Sequence, residues 1–254
     1  MMGRGVVSMG EIIAVVSDKG GTGKTSICAG IATALAADKQ RVLCIDCDVG
    51  LRNLDISLGL SHFDALSFLD VCSGDYDICH AAIHPEFPDL FFLTAPVNCS
   101  AEQIDTEAFL SMLRAARRDF DYILLDAPAG VDAGLQLAAK AADLCLLVTG
   151  AGPAAVRDAG RTGQVLELMG KNNIRLIVNR VKPKMISAMA LTVDDIMDEA
   201  GLPLIGIVPE DSAVTLAATF GKALLRYSRR SPAAAACRRI ARRMRGMHVP
   251  LSIK

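Results

Sequence analysis

The sequence lacks an apolar run that approaches the ~20 residues needed for a membrane-spanning helix. The longest candidate, Ala141–Val156, is interrupted by Asp143, two glycines and a proline. The first residues, Met1–Ser8, carry one arginine but not the long apolar run of a signal peptide. The formal net charge of −1 gives no overall attraction to nucleic acid or acidic lipid. We therefore expect a cytoplasmic protein, in which any charge-based attraction comes from a local patch.

The sequence also lacks the spaced cysteine pairs of a zinc site. Of its eight cysteines, Cys28, Cys44 and Cys145 stand in apolar segments, where free cysteine packs as a small hydrophobe. Cys44 and Cys47 have a C-x-x-C spacing, but no second pair with zinc-ligand spacing follows. Disulfides are not expected in a chain without an export signal. The cysteines are therefore interpreted as structural.

Short, nearly continuous apolar runs alternate along the chain with longer amphipathic stretches. A run without alternation is typical of a strand buried on both faces. The predicted strands are Ile12–Val16, Val42–Ile45, Leu90–Thr94, Tyr122–Leu125, Leu144–Val148, Leu176–Val178 and Leu204–Val208. The predicted helices are Thr25–Ala37, Ala101–Arg118, Ala154–Met169, Val193–Ala200 and Ala213–Phe220. This order predicts an α/β fold with a doubly wound, mostly parallel sheet of seven to eight strands and helices on both faces.

No linker, repeat or low-complexity segment divides the chain. We therefore predict a single domain over residues 9–245. The first predicted strand begins shortly after Met9, so residues 1–8 are predicted to form a disordered extension. Residues 246–254 are predicted to form a C-terminal tail.

A glycine-rich segment, Lys19–Ser26, joins the first predicted strand to the first predicted helix. Glycines let successive backbone N–H groups turn toward phosphate oxygens, and the helix N-terminus adds a favourable dipole. Lys24 is placed to reach the β- and γ-phosphates of a nucleotide, and the Thr25 hydroxyl to bind Mg²⁺. The segment predicts a P-loop NTPase whose nucleotide is held by Gly20, Gly21, Thr22, Gly23, Lys24, Thr25 and Ser26.

Carboxylates follow two of the predicted strands where the ligand crevice of a parallel sheet lies. Asp46 and Asp48 are two residues apart, so one can stand near a metal while the other orients the attacking water. The alternative is that they begin a loop or cap a helix. Asp126 ends an apolar run, as does the carboxylate that holds Mg²⁺ in P-loop proteins, often through water. Gly130 can offer an N–H to the γ-phosphate without a side-chain clash.

The segment K-G-G-T-G-K-T-S resembles the deviant P-loop of the MinD/ParA family of ATPases, and D-V-G-L-R-N-L-D from Asp48 to Asp55 is similar to the first switch region of its MinD branch. The resemblance implies ATP as the ligand and makes Lys19 the signature lysine, which crosses a dimer interface to the partner's phosphates. It implies that Asp48 positions water and that Asp46 lies close to the metal shell. Members of the family often have glycine at Asp18 and valine at Thr22.

The resemblance also implies adenine contacts and a partner surface. It gives the adenine contacts to Asn179 and Arg180, and also to Pro209 and Asp211. A turn followed by a helix N-terminus explains the last two equally well. Residues 155–161 resemble the helix that MinD proteins present to their partners, which would place a MinC-like inhibitor near Asp158. A MinE- or DivIVA-linked regulator is a further implied partner.

A basic cluster occupies the end of the sequence and has two interpretations. It comprises Arg226, Arg229, Arg230, Arg238, Arg239, Arg242, Arg243 and Arg245, with Cys237, Ile240, Met244 and Met247 among them at helical spacing. A basic amphipathic helix favours an anionic membrane surface, and members of the MinD branch normally end in such an anchor. The alternative is that Ala233–Arg245 is the last helix of the domain, with an arginine-rich solvent face.

These observations predict an ATP-dependent dimerising switch ATPase of the MinD type that acts in division-site placement, with a cytoplasmic location that extends to the inner face of the membrane. Its catalytic residues are Lys19, Lys24, Asp48 and Asp126, and its metal ligands Thr25, Asp46 and Asp126. The alternatives are a ParA-like partition ATPase, a flagellar-number ATPase and an iron–sulfur protein. DNA binding is not expected. Cys99 suits a cluster ligand, but residues 127–134 contain no second cysteine.

Overall fold

The computed structural model describes residues 9–49, 51–97, 99–182 and 193–251, and only the backbone of Val193. The predicted extension at residues 1–8 and the last three residues of the predicted tail lie outside the described residues. The strands are β1 Glu11–Val16, β2 Val42–Asp46, β3 Ala82–His84, β4 Phe87–Leu93, β5 Tyr122–Asp126, β6 Leu144–Gly150, β7 Ile174–Val181 and β8 Leu204–Pro209. The helices are α1 Lys24–Ala37, α2 Leu54–Leu58, α3 Phe68–Cys72, α4 Thr106–Ala116, α5 Ala133–Ala141, α6 Pro153–Leu168, α7 Val193–Ala200, α8 Ser212–Thr219, α9 Leu224–Tyr227 and α10 Pro232–Met244. Two short 3₁₀ helices span Ile78–His80 and Ala101–Gln103.

The described strands form one eight-stranded sheet in the order β3-β4-β2-β5-β1-β6-β7-β8. β3 runs antiparallel to β4, and the other pairs in this sheet are parallel. All seven predicted strands are present, and the predicted fold class is confirmed. β3 was not predicted because it is only three residues long, and Ile83 at its centre is exposed.

The helices cover the sheet on both faces and give the protein two cores. One core holds side chains from α4, α5, α6 and α7, with Phe68 of α3 packed edge-on against Phe109. The other holds side chains from α1, α2, α9 and α10. A strand buried between two such layers has no polar face, which is why the predicted runs are nearly continuous in apolar residues.

The predicted helix Ala101–Arg118 is wrong at its start. The structure has a 3₁₀ turn at Ala101–Gln103, and α4 begins only at Thr106. The Asp105 carboxylate accepts hydrogen bonds from the N–H groups of Glu107 and Ala108, so it caps the helix and fixes its first turn.

The basic helix α10 is part of the domain core. Cys237 and Ile240 are buried, each where a glycine of the domain makes room for it. A Cβ atom on Gly30 of α1 would lie 2.6 Å from the Cys237 sulfur, and one on Gly206 of β8 would lie 2.3 Å from Ile240 Cγ1. The geometry therefore favours the interpretation of α10 as the last helix of the domain. In the part of the chain that the structure describes, no helix is long and apolar enough to cross a bilayer.

Candidate nucleotide-binding site

The glycine-rich segment lies between the end of β1 and the first turn of α1, and it lines a cavity of about 530 Å³. Gly21 and Gly23 have φ angles of 79° and 86°, in the left-handed region that favours glycine. A Cβ atom on Gly23 would lie 2.3 Å from Asn179 Nδ2, so a larger residue would also clash there. All seven predicted loop residues line the cavity, which has the form of a phosphate cradle.

Lys24 and Asp126 form a buried ion pair at the base of the cavity. Lys24 Nζ lies 2.6 Å from Asp126 Oδ1, and the two side chains are 7% and 1% exposed. Burial raises the pKa of the Asp126 carboxyl, and Lys24 and Thr25 oppose this effect. An ion pair this deep is held in one geometry, and the contact of Lys24 with phosphate stays a prediction.

The same carboxylate fits a magnesium site. Asp126 Oδ2 is buried and has no hydrogen-bond partner within the described residues. Those residues contain no group of three or more His, Cys, Asp or Glu side chains that could hold a metal by themselves. Mg²⁺ is commonly bound by one or two carboxylates together with substrate phosphates and water. Asp126 and the Thr25 hydroxyl at the cavity wall are therefore suited to a magnesium ion carried in by a nucleotide.

Asp46 ties down the segment that follows β2. Its Oδ1 accepts from the N–H of Asp48 at 2.9 Å, and its Oδ2 accepts from the N–H groups of Asn53 and Leu54, each at 3.1 Å. Leu54 begins α2, so Asp46 also caps that helix from a distance in sequence. Burial, with the neighbouring Asp126 charge, raises the pKa of Asp46 to about 6. Both oxygens thus have backbone partners, and the metal role predicted for Asp46 stays a prediction.

Asp48 stands at the cavity wall with its carboxylate half-buried. Burial, and to a lesser degree the Asp46 charge, raises its pKa, while Lys24 lowers it. Within the described residues, neither side-chain oxygen of Asp48 is bonded to the rest of the chain. Asp48 is therefore available to orient a water molecule in the cavity.

Lys19, the candidate signature lysine, lines the rim of the cavity. Its side chain is 65% exposed, and its Nζ lies 2.5 Å from Asp158 Oδ2 on α6. The hydrogen bond to Asp158 raises the pKa of Lys19 and lowers that of Asp158. Asp18 lies farther from the lysine, at 4.0 Å, with its side chain mostly buried. The structure therefore joins two residues that the sequence analysis assigned to separate roles.

Two residues predicted to contact adenine, Asn179 and Arg180, donate hydrogen bonds to the glycine-rich loop. Asn179 Nδ2 donates to the Thr22 carbonyl at 2.8 Å, and Arg180 Nη1 donates to the Gly21 carbonyl at 2.9 Å. Arg180 has a φ of 57°, which is uncommon for a residue with a side chain. These contacts place β7 against the loop, and adenine binding by the same residues stays a prediction.

Three further predicted site residues are engaged elsewhere. Asp211 caps α8 through the Ala213 N–H and accepts from the Ala233 N–H. Burial would raise its pKa, but these N–H groups outweigh burial and lower it. Pro209 ends β8 and pairs with Val181 of β7. The Gly130 N–H donates to the Ser17 carbonyl at 3.0 Å, so a contact with phosphate would require that bond to break.

Two apolar side chains at this site, and the arginine between Leu51 and Asn53, were not among the predicted site residues. Leu51 and Ile56 line the cavity yet are 70% and 41% exposed, which gives the rim an apolar surface. Arg52 has a φ of 45°, and its Nε donates to Thr94 Oγ1 at 2.7 Å. The strained backbone of Arg52 is thereby held to the end of β4. A signal for the apolar pair was present, since both flank the polar R-N-L-D segment.

The fold and the site together define a P-loop nucleotide-binding protein. Residues 13–225 match the family described as the CobQ/CobB/MinD/ParA nucleotide binding domain, and the chain belongs to that family. Its relatives include a septum site-determining protein MinD from Synechocystis sp., which is 38% identical over 95% of this chain and 92% of its own length.

Solved structures agree with this placement. MinD in a MinC:MinD cell division protein complex from Aquifex aeolicus superposes with a TM-score of 0.87 at 36% identity, covering 95% of this chain and 98% of its own. MinD of Pyrococcus horikoshii, complexed with Mg-ADP, has a TM-score of 0.81 at 27% identity and covers 93% and 96% of the two chains. The predicted MinD type is confirmed, and the partition, flagellar-number and iron–sulfur alternatives are not favoured.

Proposed function

We propose that this protein binds ATP with Mg²⁺ and hydrolyses it as a nucleotide-dependent homodimer. The observation that carries the proposal is the buried Lys24–Asp126 pair at the base of a glycine-lined cavity, with the half-buried Asp48 at its wall. Asp126 and Thr25 would hold the magnesium ion, which supplies charge neutralisation at the β- and γ-phosphates. Lys24 and the loop N–H groups orient the nucleotide, and Asp48 orients water for attack on the γ-phosphate.

Lys19 supplies the link to a second copy of the chain. Its exposed Nζ is held by Asp158 on α6 of its own chain. In an ATP-bound dimer Lys19 leaves Asp158 and contacts the phosphates held by the partner subunit. An exposed ion pair costs little to exchange for a charge-assisted bond to phosphate. The apolar side chains of Leu51 and Ile56 at the cavity rim suit the same interface.

The proposed partners follow the MinD relatives. The MinC:MinD complex of Aquifex aeolicus supports a MinC-like inhibitor, which we place on α6 near Asp158. A MinE- or DivIVA-linked regulator would use the same nucleotide-dependent surface. The protein is proposed to be cytoplasmic and to associate peripherally with the anionic inner face of the cell membrane. Because the apolar face of α10 is buried, that association would rest on the charge of the α10 arginines.

The catalytic proposal is tested by measuring ATPase activity and ATP-dependent dimerisation of Lys19→Ala and Asp48→Ala. Lys19→Ala should bind ATP but stay monomeric. Asp48→Ala should dimerise with ATP but hydrolyse it about a hundredfold more slowly, in the range typical for a positioned acid–base group. The matched controls are Lys222→Ala and Asp64→Ala, which remove exposed side chains away from the cavity. Wild-type dimerisation and turnover in both test variants would refute the mechanism.

Membrane association is tested separately, by sedimentation with anionic liposomes. Pelleting should be greater with ATP than with ADP, because a dimer presents two copies of each basic surface. Removing the last ~20 residues, about one helix, is not a suitable control, since it would remove the core helix α10. Equal pelleting with the two nucleotides would contradict a nucleotide-controlled association.

A further inference from the structure

A second cavity, of about 650 Å³, lies at the edge of the sheet opposite the nucleotide site. It is enclosed by the end of α1, the start of β4, and the segment from α9 into α10. α1 has 14 residues, so at 1.5 Å per residue its two ends lie about 21 Å apart. The phosphate loop is at one end of this helix and the second cavity is at the other. The two cavities are therefore separate sites.

The lining of the second cavity is strongly basic. Two carboxylates, Asp38 and Glu86, face it, against six cations. The cations are Lys39, Arg226, Arg229, Arg230, Arg238 and Arg242. Both carboxylates are already engaged, since Glu86 pairs with Arg226 at 2.8 Å and Asp38 pairs with Arg245 at 2.8 Å. The excess positive charge is thus concentrated in the cavity arginines other than Arg226.

Four arginines of this cavity have no acidic partner within the described residues, and three of them, Arg229, Arg230 and Arg242, are exposed. Arg238 is half-buried beside them and donates from Nη1 to the Arg229 carbonyl at 2.5 Å. Burial and the charges of Arg229 and Arg242 lower the pKa of Arg238. Like charges held this close repel one another, and an anion between them would relieve that repulsion.

We propose that this arginine-lined cavity binds a compact ligand that carries two or more phosphate groups. Each guanidinium group can donate two parallel N–H hydrogen bonds to phosphate oxygens. A cluster of arginines can therefore bind more than one phosphate group. A volume of about 650 Å³ is in the range of cavities that enclose small ligands. Such a group can belong to a free polyphosphate or to the headgroup of an anionic phospholipid.

The test is calorimetric titration with tripolyphosphate after the nucleotide site has been saturated with ADP. The wild-type protein should bind one equivalent, more weakly as salt is raised. Arg229→Gln/Arg230→Gln should weaken binding by about tenfold or more, equivalent to about 1.4 kcal/mol. Its arginines are exposed and lie outside the helices, so this variant should fold normally. Arg238→Gln/Arg242→Gln, on α10, is a second variant and should weaken binding likewise.

The matched control is Arg114→Gln/Arg118→Gln, which removes the same charge from exposed positions on and just after α4. It should bind tripolyphosphate as the wild type does, and all variants should keep their basal ATPase activity. Absence of saturable binding by the wild type would overturn the proposal. Equal losses in the cavity variants and the control would overturn it too, because binding would then depend on net charge alone.

Vesicles distinguish the two sources of phosphate. Phosphatidylcholine vesicles containing cardiolipin, an anionic phospholipid whose headgroup carries two phosphates, are sedimented with the same variants. If the wild type pellets, the cavity variants do not, and tripolyphosphate competes, the ligand is a lipid headgroup. If tripolyphosphate binds in the cavity and no vesicle pelleting occurs, the ligand is a free polyphosphate. The titration is made without ATP turnover, so its failure would leave the hydrolysis proposal standing.

Discussion

The phosphate loop carries two lysines that are five residues apart and lie in opposite environments. Lys24 is buried and paired with the buried Asp126, whereas Lys19 is 65% exposed and paired with Asp158 at the rim. Separating the inner pair leaves a charge without solvent, which is costly. Separating the outer pair leaves two charges in water, and salt weakens their attraction further.

The difference in burial suits the two lysines to different roles in the proposed mechanism. A side chain that always binds phosphates of the same nucleotide is best held in place by an ion pair that does not separate. A side chain that must change partners between a monomer and a dimer benefits from a contact that is easily broken. The inner pair is thus suited to binding and the outer pair to switching.

Lys24→Ala should abolish nucleotide binding and lower the free energy of unfolding by about 3 kcal/mol or more, because it leaves Asp126 buried without its partner. Urea unfolding and a nucleotide-binding titration measure the two effects. The double variant Lys24→Ala/Asp126→Asn should regain stability but not nucleotide binding, since the uncompensated charge is then gone. A single variant as stable as the wild type would show that the Lys24–Asp126 pair does not hold this part of the site rigid.

Asp46→Asn should change how stability depends on pH. The folded-state pKa of about 6 lies above the ordinary 3.8, so the folded protein binds the proton more tightly than the unfolded chain. The Asp46 contribution to stability therefore rises as pH falls from about 6 to about 4, and the variant lacks this rise. The difference in the free energy of unfolding between wild type and variant should change by at most about 3 kcal/mol between pH 6 and pH 4.

Urea unfolding at a series of pH values measures this difference for Asp46→Asn. The control is Asp64→Asn, an exposed substitution of the same kind. If the difference between wild type and Asp46→Asn stays constant from pH 7 to pH 4, the buried carboxylate does not titrate in that window.

Asp158→Asn should leave the unfolding midpoint unchanged and strengthen ATP-dependent dimerisation by less than about threefold, because exposed ion pairs contribute little. The effect should vanish at high salt. Analytical ultracentrifugation with ATP at low and high salt measures it. Loss of stability, or a large effect that persists in high salt, would mean that the rim pair is structural and that the contrast between the two lysines is wrong.

The sequence predicted the parallel strands because their burial on both faces leaves a local signature. It predicted the phosphate loop because glycine, lysine and threonine must stand at fixed spacing around phosphate. α2 and α3 were not predicted, since each has five residues and too few turns to show a helical pattern. α5, of nine residues, was also not predicted.

The contacts within the site could not be predicted in the same way, because they join distant parts of the chain. Asn179 meets Thr22, and Lys19 meets Asp158, across more than a hundred residues. The role of Asp46 could not be decided from the sequence either. A carboxylate that follows a strand can bind a metal ion, or it can accept hydrogen bonds from the backbone of the loop. Its three backbone donors become apparent only when residues 48, 53 and 54 are brought around it.

α1 has a mechanical consequence that follows from its burial. Eleven of its residues are buried, and the glycine at position 30 brings α10 directly against it. A helix enclosed in this way has little room to bend or tilt, so it behaves as a stiff rod. A shift of the phosphate loop along the helix axis would therefore reappear at Ala37 with nearly the same length and direction. Ala36 and Ala37, at the end of α1, line the arginine-lined cavity. Such a displacement of α1 would therefore change the width of that cavity.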